Sequence, residues 1–169
     1  MRLTRQLDPQ HSLVSTSYFP ALQCERKGFR YRVVLGVGGN IGDMPRRLER
    51  LWVHLGRIPR IKRVQSGPIL RNPPFGFTEQ SDFHNTVIEI ATSLQPRALL
   101  RLVWRIEKRF GRKRSFPNAP RTLDLDIIFF ENRVVRSTEL MIPHPEWGKR
   151  PSVTIPLRHL PQKRKTVRR

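Results

Sequence analysis

The fold of this chain is decided by residues 32–42, RVVLGVGGNIG, where a short apolar run leads into a cluster of glycines. An apolar run of this length beside turn-forming residues is typical of a buried strand, and the glycines predict a tight strand-to-helix turn. Asp43 follows as a predicted N-cap, and apolar residues then recur at helical spacing until Gly56. The sequence therefore predicts that the ordered fold begins with a strand followed by a helix.

Downstream of this unit, the same kinds of pattern predict three more strands and a second helix. The predicted strands are residues 61–70, 83–91 and 122–130, and the second helix begins near Pro96 and ends at Gly111. The resulting order, β-α-β-β-α-β, is that of a ferredoxin-like α+β sandwich, an antiparallel sheet with two helices packed on one face. We place this domain at residues 31–161.

The two ends of the chain lack these patterns. Residues 1–30 show no sustained period, and we interpret them as an N-terminal extension that is partly ordered. Residues 162–169 are a basic tail, which we expect to be disordered. No apolar run approaches the roughly 20 residues of a membrane helix, and no signal peptide follows Met1. We therefore expect a cytoplasmic protein without a membrane partner. Separately, we expect it to be a monomer.

The charge of the chain is strongly lopsided. Its 169 residues include 33 Lys and Arg against 13 Asp and Glu, which gives a formal net charge of +20. This charge predicts affinity for polyanions, whether nucleic acid, an anionic membrane surface or a phosphorylated small molecule. Only 8% of the residues are aromatic, and no strand alternates aromatic and basic residues as RNA-binding sheets do. We expect no specific nucleic-acid partner and keep a basic RNA-binding module without catalysis as the alternative hypothesis.

Two acidic residues stand out against this basic background. Asp124 and Asp126 lie two residues apart on a predicted strand, so that both side chains point to the same face. Two such carboxylates can bind Mg²⁺, which also takes substrate phosphates as ligands, although solvated surface acids are the simpler interpretation of the pair alone. Arg112, Arg114 and Arg121 precede the pair and carry guanidinium groups suited to phosphate oxygens. This context favours a metal and phosphate site.

A few other side chains suit a ligand site. His144 lies between two prolines and can donate to a phosphate, although a lone histidine is more often structural or exposed. Phe75 and Phe83 flank a Pro-Gly turn and can form the walls of a pocket for a flat heterocycle, whose edges Asn85 can then contact. Trp104, on the second predicted helix, is interpreted as a core residue.

Taken together, these stretches resemble the 6-hydroxymethyl-7,8-dihydropterin pyrophosphokinases, a family of folate-pathway enzymes. The most specific match is residues 120–127, PRTLDLDI, with His144 eighteen residues after Asp126. The resemblance extends in order over about residues 32–160, and its other matches are residues 35–43, 72–76, 80–85, 106–107, 111–114, 142–145 and Arg150. The chain departs from the family at Ser152, where an aromatic residue that stacks on the pterin often stands.

The resemblance implies a reaction and a set of residue roles. The reaction is transfer of the terminal diphosphate of MgATP, the co-substrate, to the hydroxymethyl group of 6-hydroxymethyl-7,8-dihydropterin, with release of AMP. Asp124 and Asp126 would bind two Mg²⁺ ions, and Arg112 and Arg121 would be catalytic residues that act on the phosphates. The implied ATP contacts are Glu107, Arg114, Ile127, His144 and Arg150. The implied pterin contacts are Asn72, Pro73, Phe75, Phe83 and Asn85. ATP and the pterin are thus the expected partners.

Overall fold

The computed structural model describes residues 2–23, 28–113 and 116–161, and the positions of all helices and strands refer to these ranges. The strands are β1 Leu3–Gln6, β2 Ser12–Ser15, β3 Ala21–Leu22, β4 Tyr31–Gly39, β5 Ile61–Ser66, β6 Ile69–Asn72, β7 Phe83–Thr92, β8 Asp124–Phe130, β9 Val135–Arg136 and β10 Met141–Ile142. The α-helices are α1 Met44–Leu55, α2 Pro96–Arg109 and α3 Pro151–Arg158, and a 3₁₀ helix spans Trp147–Lys149.

Eight of these strands form one sheet, in which neighbouring strands run antiparallel. Its main path is β1-β2-β6-β7-β4-β8, with β5 also beside β7 and β3 beside β5. The longest pairing joins β4 to β7 from Tyr31 opposite Thr92 to Gly39 opposite His84. Strands β9 and β10 form a separate pair. The predicted α+β class with a mostly antiparallel sheet is thus confirmed.

Helices α1 and α2 pack on one face of this sheet and supply much of the main core. Asp43 is the N-cap of α1, as predicted, because its side chain accepts a hydrogen bond from the Arg46 backbone N–H at 3.1 Å. Helix α2 begins at Pro96, where the missing N–H costs nothing, and Gly111 follows its end with a φ of +81°. The buried apolar residues of the two helices include Leu48, Leu51, Trp52, Leu55, Leu99, Val103 and Ile106.

Helix α3 covers part of the opposite face of the sheet and is not predicted by the sequence pattern. Two prolines within eight residues argue locally against a helix, but Pro151 occupies the first turn, where proline is tolerated. Val153 packs with Val87 and Ile128 in a second, smaller core. A Cβ at Gly36 would lie 3.0 Å from Ile128 Cδ1, so a larger residue there would crowd this second core.

The N-terminal segment contributes three short strands and a core side chain. Phe19 is fully buried, with its ring edge-on to Trp52 of α1 at a centroid distance of 5.9 Å. Nearby, the Ser66 hydroxyl accepts a hydrogen bond from the Ala21 backbone N–H at 2.9 Å and donates to the Tyr18 carbonyl. Strands of two to four residues are too short to show an alternation, which explains why the sequence pattern predicts none here.

Some predicted boundaries differ from the structure. The single strand predicted at residues 61–70 is divided into β5 and β6. Between them, Gly67 lies so close to α3 that a Cβ would be only 2.6 Å from the Pro156 carbonyl oxygen. Strand β4 continues through Gly38 and Gly39, which the glycine cluster assigned to a turn. The basic tail, residues 162–169, lies outside the described residues. None of the helices in the described ranges has both the length and the apolar composition needed to cross a membrane.

Candidate active site

The two acidic residues of β8 lie opposite two glycines of β4. Asp124 pairs with Gly38 and Asp126 with Gly36, whereas the intervening Leu125 is buried in the main core. Because side chains alternate along a strand, both carboxylates lie on the face away from α1 and α2. Gly38 places no side chain beside Asp124, whereas the space beside Gly36 is filled by Ile128 of the second core.

The same row continues across β4 to β7, where Asn85 pairs with Gly38 from the other side. Asp124 and Asn85 therefore share a face, and their Cα atoms are roughly 10 Å apart because neighbouring strands are spaced by about 4.8 Å. A Cβ at Gly38 would lie 2.0 Å from Asn85 Oδ1, so the amide lies over the bare glycine. The result is a groove with a carboxylate on one side, an amide on the other and glycine as its floor.

Two arginines contact the first carboxylate. Arg112 Nη1 donates to Asp124 Oδ1 and also to Glu107 Oε1. Arg121 Nη1 donates to Asp124 Oδ2 at 2.7 Å. Both oxygens of Asp124 thus accept charge-assisted hydrogen bonds, which are stronger than neutral ones and fix the guanidinium groups beside the carboxylate.

Glu107 connects this cluster to helix α2. Its side chain is buried on α2, and Oε1 accepts the Leu125 backbone N–H at 2.8 Å in addition to the Arg112 guanidinium. Burial raises the pKa of Glu107, while the Leu125 N–H and the Arg112 guanidinium oppose that rise. Glu107 therefore ties the end of α2 to the start of β8 and orients Arg112.

Asp126 has weaker partners than Asp124. Its side chain is half-exposed, and its Oδ2 lies 3.9 Å from Arg150 Nη1, at the N-terminus of α3. Partial burial and the neighbouring Asp124 carboxylate raise the pKa of Asp126, whereas His144 and Arg150 oppose that rise. The carboxylate is thus held close to a second one without the hydrogen bonds that stabilise Asp124.

His144 lies beside Asp126 with one ring nitrogen already engaged. Its Nδ1 accepts the Glu146 backbone N–H at 3.3 Å, and its own backbone N–H donates to the Ile128 carbonyl at 2.9 Å. Partial burial lowers the pKa of His144, and the Asp126 carboxylate opposes that change. The neutral ring therefore carries its proton on Nε2, as a hydrogen-bond donor for an anionic ligand.

The donor set fits Mg²⁺ that also has phosphate ligands. Within the described part of the chain, no group of three or more His, Cys, Asp or Glu side chains is placed to hold a metal ion. Asp124 and Asp126 supply only carboxylates, and Mg²⁺ characteristically binds through one or two carboxylates with waters and substrate phosphates. Arg121 Nε is buried and has no hydrogen-bond partner among the described residues.

Three of the residues implied in pterin binding lie together on the opposite side of the groove. Asn85 Nδ2 donates to Asn72 Oδ1 at 2.8 Å, and Asn72 is the register partner of Phe83. The Phe83 ring lies below the Arg121 guanidinium, 5.2 Å from its centroid. Two further residues lie on the segment after β6, where Pro73 is exposed and Phe75 is 89% exposed.

The structure places other predicted residues differently. Ile127, an implied ATP contact, has its side chain in the main core, so only its backbone is available to a ligand. Arg114 lies outside the described residues. Trp104 is 39% exposed, and its prediction as a core residue is wrong, because it lies on the solvent side of α2. It lines a cleft of about 390 Å³ with Glu107, Lys108 and Arg112.

Gly36 and Gly38 lie opposite the two carboxylates, a position not predicted from the sequence. Their spacing contained the signal, since glycines two residues apart on a strand leave one face bare. Asn40 and Gln80 lie within the family-matched stretches 35–43 and 80–85, but their pairing, described below, had no local signal because it joins segments that are far apart in the chain.

Comparison with known proteins adds an independent result. A family model for 7,8-dihydro-6-hydroxymethylpterin-pyrophosphokinase matches residues 34–162, which extend from within β4 through α3. The match therefore contains both carboxylates, the arginines beside them and the groove between β8 and β7.

Individual relatives agree with the family match. The chain is 43% identical over 147 residues to the 2-amino-4-hydroxy-6-hydroxymethyldihydropteridine pyrophosphokinase of Helicobacter pylori, which covers 86% of this chain and 90% of that protein. It is 40% identical over 140 residues to the enzyme of the same name from Campylobacter jejuni, covering 83% and 89%. The Bacillus subtilis enzyme of that name is 34% identical over 128 residues, covering 76% and 77%.

Proposed function

The chain belongs to the 7,8-dihydro-6-hydroxymethylpterin-pyrophosphokinase family and is an ATP-dependent pyrophosphokinase of folate synthesis. From this premise we propose which of its residues bind each substrate and which act on the phosphates. The enzyme transfers the terminal diphosphate of ATP to the hydroxymethyl group of 6-hydroxymethyl-7,8-dihydropterin. The observation that carries this assignment is the row Asp124, Gly38 and Asn85, which sets a carboxylate and an amide on either side of one glycine-floored groove.

The reaction is an in-line displacement at the β-phosphorus of ATP. The pterin hydroxyl oxygen forms a bond to this phosphorus, the bond to the oxygen bridging the α- and β-phosphorus breaks, and AMP leaves with that oxygen. The hydroxyl proton is lost in the same process, and no side chain is assigned as its acceptor. Positioning and electrostatic stabilisation are expected to dominate, as in other phosphoryl transfers.

The phosphate side of the groove supplies the charge for this step. Asp124 and Asp126 would hold two Mg²⁺ ions, which neutralise phosphate charge and align the attacking and leaving oxygens when bound. Arg112 and Arg121 present permanently charged guanidinium groups beside Asp124, where they can donate to the transferring phosphates. The ATP contacts that we propose beyond these are Glu107, Arg114, the Ile127 backbone, His144 and Arg150.

The other side of the groove receives the pterin. Asn85 and Asn72 form a hydrogen-bonded amide pair that can contact the polar ring edges, and Phe83 offers a flat face for stacking. Pro73 and Phe75 adjoin this pair on an exposed segment. Arg121 contacts both the Phe83 ring and Asp124, which supports a placement of the two substrates side by side.

Gly38→Ala is expected to impair pterin binding selectively. The added Cβ would lie 2.0 Å from Asn85 Oδ1, so the amide must rotate away and lose its hydrogen bond to Asn72. The displaced Asn85 amide would then also lose a hydrogen bond to the pterin. The loss of one hydrogen bond corresponds to about a tenfold rise in the KM for the pterin, and the KM for ATP is expected to change less than about twofold. Gly148→Ala is the control, because a Cβ there meets no atom within 4 Å. An unchanged pterin KM in Gly38→Ala would contradict the placement.

The overall assignment is tested by the products. Incubation with ATP, Mg²⁺ and 6-hydroxymethyl-7,8-dihydropterin is expected to give AMP only when all three are present, and chelation of Mg²⁺ is expected to stop the reaction. AMP formation without the pterin would indicate hydrolysis, and no AMP in the complete mixture would contradict the assignment.

We further propose that the core has the ferredoxin-like arrangement. The order of β5 and β6, β7, β4 and β8 in the sheet supports it, as does the position of α1 after β4 and α2 after β7. On this proposal residues 31–161 form the pyrophosphokinase domain, to which the N-terminal strands add further sheet. We also propose that the enzyme acts as a cytoplasmic monomer, with ATP and the pterin as its partners. No observation on the described residues or from the relatives favours the RNA-binding alternative.

A further inference from the structure

A pair of side-chain amides joins the two halves of this groove. Asn40, which directly follows β4, is buried and uses its whole amide group. Its Oδ1 accepts the Arg121 backbone N–H at 2.9 Å, and its Nδ2 donates to Gln80 Oε1 at 2.8 Å and to the Ser81 carbonyl at 3.0 Å. One side chain thus contacts segments 40 and 81 residues away in the chain.

Gln80 extends the connection to a third segment. Its Nε2 donates to the Asn118 carbonyl at 3.0 Å and to the Phe77 carbonyl. The backbone of Asn40 adds a further link, since its N–H donates to the Arg121 carbonyl at 3.0 Å. The two amides therefore connect the end of β4 with residues 77–81 and with residues 118–121.

The segment that carries Gln80 has few other anchors. From residue 73 to residue 80, no side chain is buried in the structure. Phe77 and Phe116 contact each other edge-on at 5.6 Å between ring centroids, but both are exposed. A segment without buried apolar contacts opens easily, so its position depends on hydrogen bonds such as those of Gln80.

Both proposed substrate sites are adjacent to this connection. Arg121, whose backbone N–H is held by Asn40, contacts Asp124 on the phosphate side through its side chain. Phe83, on the pterin side, begins β7 two residues after Ser81, whose carbonyl is also held by Asn40. The amide group of Asn40 therefore sets the position of Arg121 relative to Phe83.

We propose that Asn40 and Gln80 are positioning residues that act on the reaction through Arg121. This inference rests on the proposed function, because it assigns Arg121 to the transferring phosphates. The hydrogen bonds of the two amides go to Arg121, Ser81, Asn118 and Phe77 and to each other, and none goes to Asp124 or Asp126. Their effect is geometric: they fix the backbone from which the Arg121 guanidinium reaches the reacting group, and a displacement of about 1 Å can cost on the order of 10²-fold in rate.

The test is a double-mutant cycle on kcat, measured as AMP formation. Asn40→Ala and Gln80→Ala are each expected to lower kcat by about 10- to 100-fold, with KM for ATP changing less than about threefold. In an Arg121→Ala background, the same substitutions are expected to lower kcat by less than about threefold, because the group they position is absent. Thr78→Ala, at an exposed site in the same segment, is the matched control and is expected to retain the parent rate.

The outcomes separate positioning from a structural role. If the effects of Asn40→Ala and Arg121→Ala simply multiply, or if Gln80→Ala has the parent kcat, the inference is wrong. Should Asn40→Ala fail to fold, as judged by its melting temperature, the half-exposed Gln80 carries the test alone. The parent enzyme in the same assay distinguishes a failure of the proposed function from a failure of this inference. If the parent forms no AMP, the proposed function is contradicted. If the parent forms AMP and Gln80→Ala has the same kcat, only the positioning role is contradicted.

Discussion

Replacing Asp124 or Asp126 with Ala is expected to lower kcat by at least about 10²-fold, which is the scale of losing one preorganised electrostatic group. The two carboxylates occupy one face of β8 opposite two glycines, and within the described residues no group of three or more His, Cys, Asp or Glu side chains is placed to hold a metal ion. A Mg²⁺ ion that loses one of the two therefore keeps a single carboxylate ligand from this strand. The loss is therefore expected in kcat even at saturating ATP.

Substitution by Asn separates the charge from the packing. The pKa of Asp126 is higher in the folded chain than its ordinary value in the unfolded chain. Ionised Asp126 therefore lowers the free energy of unfolding, fully so at pH values above the folded pKa. At pH 7, Asp126→Asn is therefore expected to keep or raise the melting temperature while kcat falls. Asp124→Asn weakens hydrogen bonds from Arg112 and Arg121, and a lower melting temperature is expected.

The measurements are kcat from AMP formation over a range of Mg²⁺ concentrations, and the melting temperature from circular dichroism. Glu49→Gln, on α1, is the control for removal of an acidic side chain away from the groove and is expected to leave both unchanged. If both Asn variants kept the kcat of the parent enzyme, the proposed catalytic role of the two carboxylates would be wrong. If Asp126→Asn lowered the melting temperature as much as Asp124→Asn, the ionised Asp126 carboxylate would stabilise the folded protein, which would contradict the raised pKa.

Phe19→Ala is expected to lower the free energy of unfolding by about 3–5 kcal/mol, the range found for removing a fully buried aromatic ring. Phe19 has no exposed surface and packs against Trp52, so its loss leaves a cavity between the N-terminal segment and α1. Because α1 and the sheet share this core, the effect is expected on the stability of the whole domain. The measurement is urea unfolding followed by tryptophan fluorescence, with the parent and variant compared at a common m-value.

Phe75→Ala is the matched control for this experiment. It removes the same ring from a position that is 89% exposed, so the unfolding free energy is expected to change by less than about 0.5 kcal/mol. If Phe19→Ala also changed it by less than about 1 kcal/mol, the N-terminal segment would not belong to the cooperative unit, and its strands would be a separable addition.

Local sequence patterns predicted the central elements of the fold because the information that specifies them is local. Apolar residues at helical spacing, with Asp43 before the first helix and Gly111 after the second, specified α1 and α2. The strand carrying Asp124 and Asp126 was recognisable from its apolar residues, and the alternation of a strand implied that the two carboxylates share a face. The family motifs identified the same residues, and the family is confirmed by comparison.

The tertiary structure decided what depends on partners distant in the chain. Phe19 meets Trp52, Asn85 faces Asp124 across Gly38, and Asn40 bonds to Gln80 and Arg121, and none of these pairings leaves a period or a composition in the sequence. Helix α3 was not predicted for a related reason. Its prolines disfavour a helix locally, and its packing against β7 offsets that cost. The sequence by itself therefore determined the class of the fold and the family, and it placed the two carboxylates on one face of a strand. The shape of the groove was decided only when the strands aligned in register, because burial and hydrogen bonding between remote segments are properties of the folded chain as a whole.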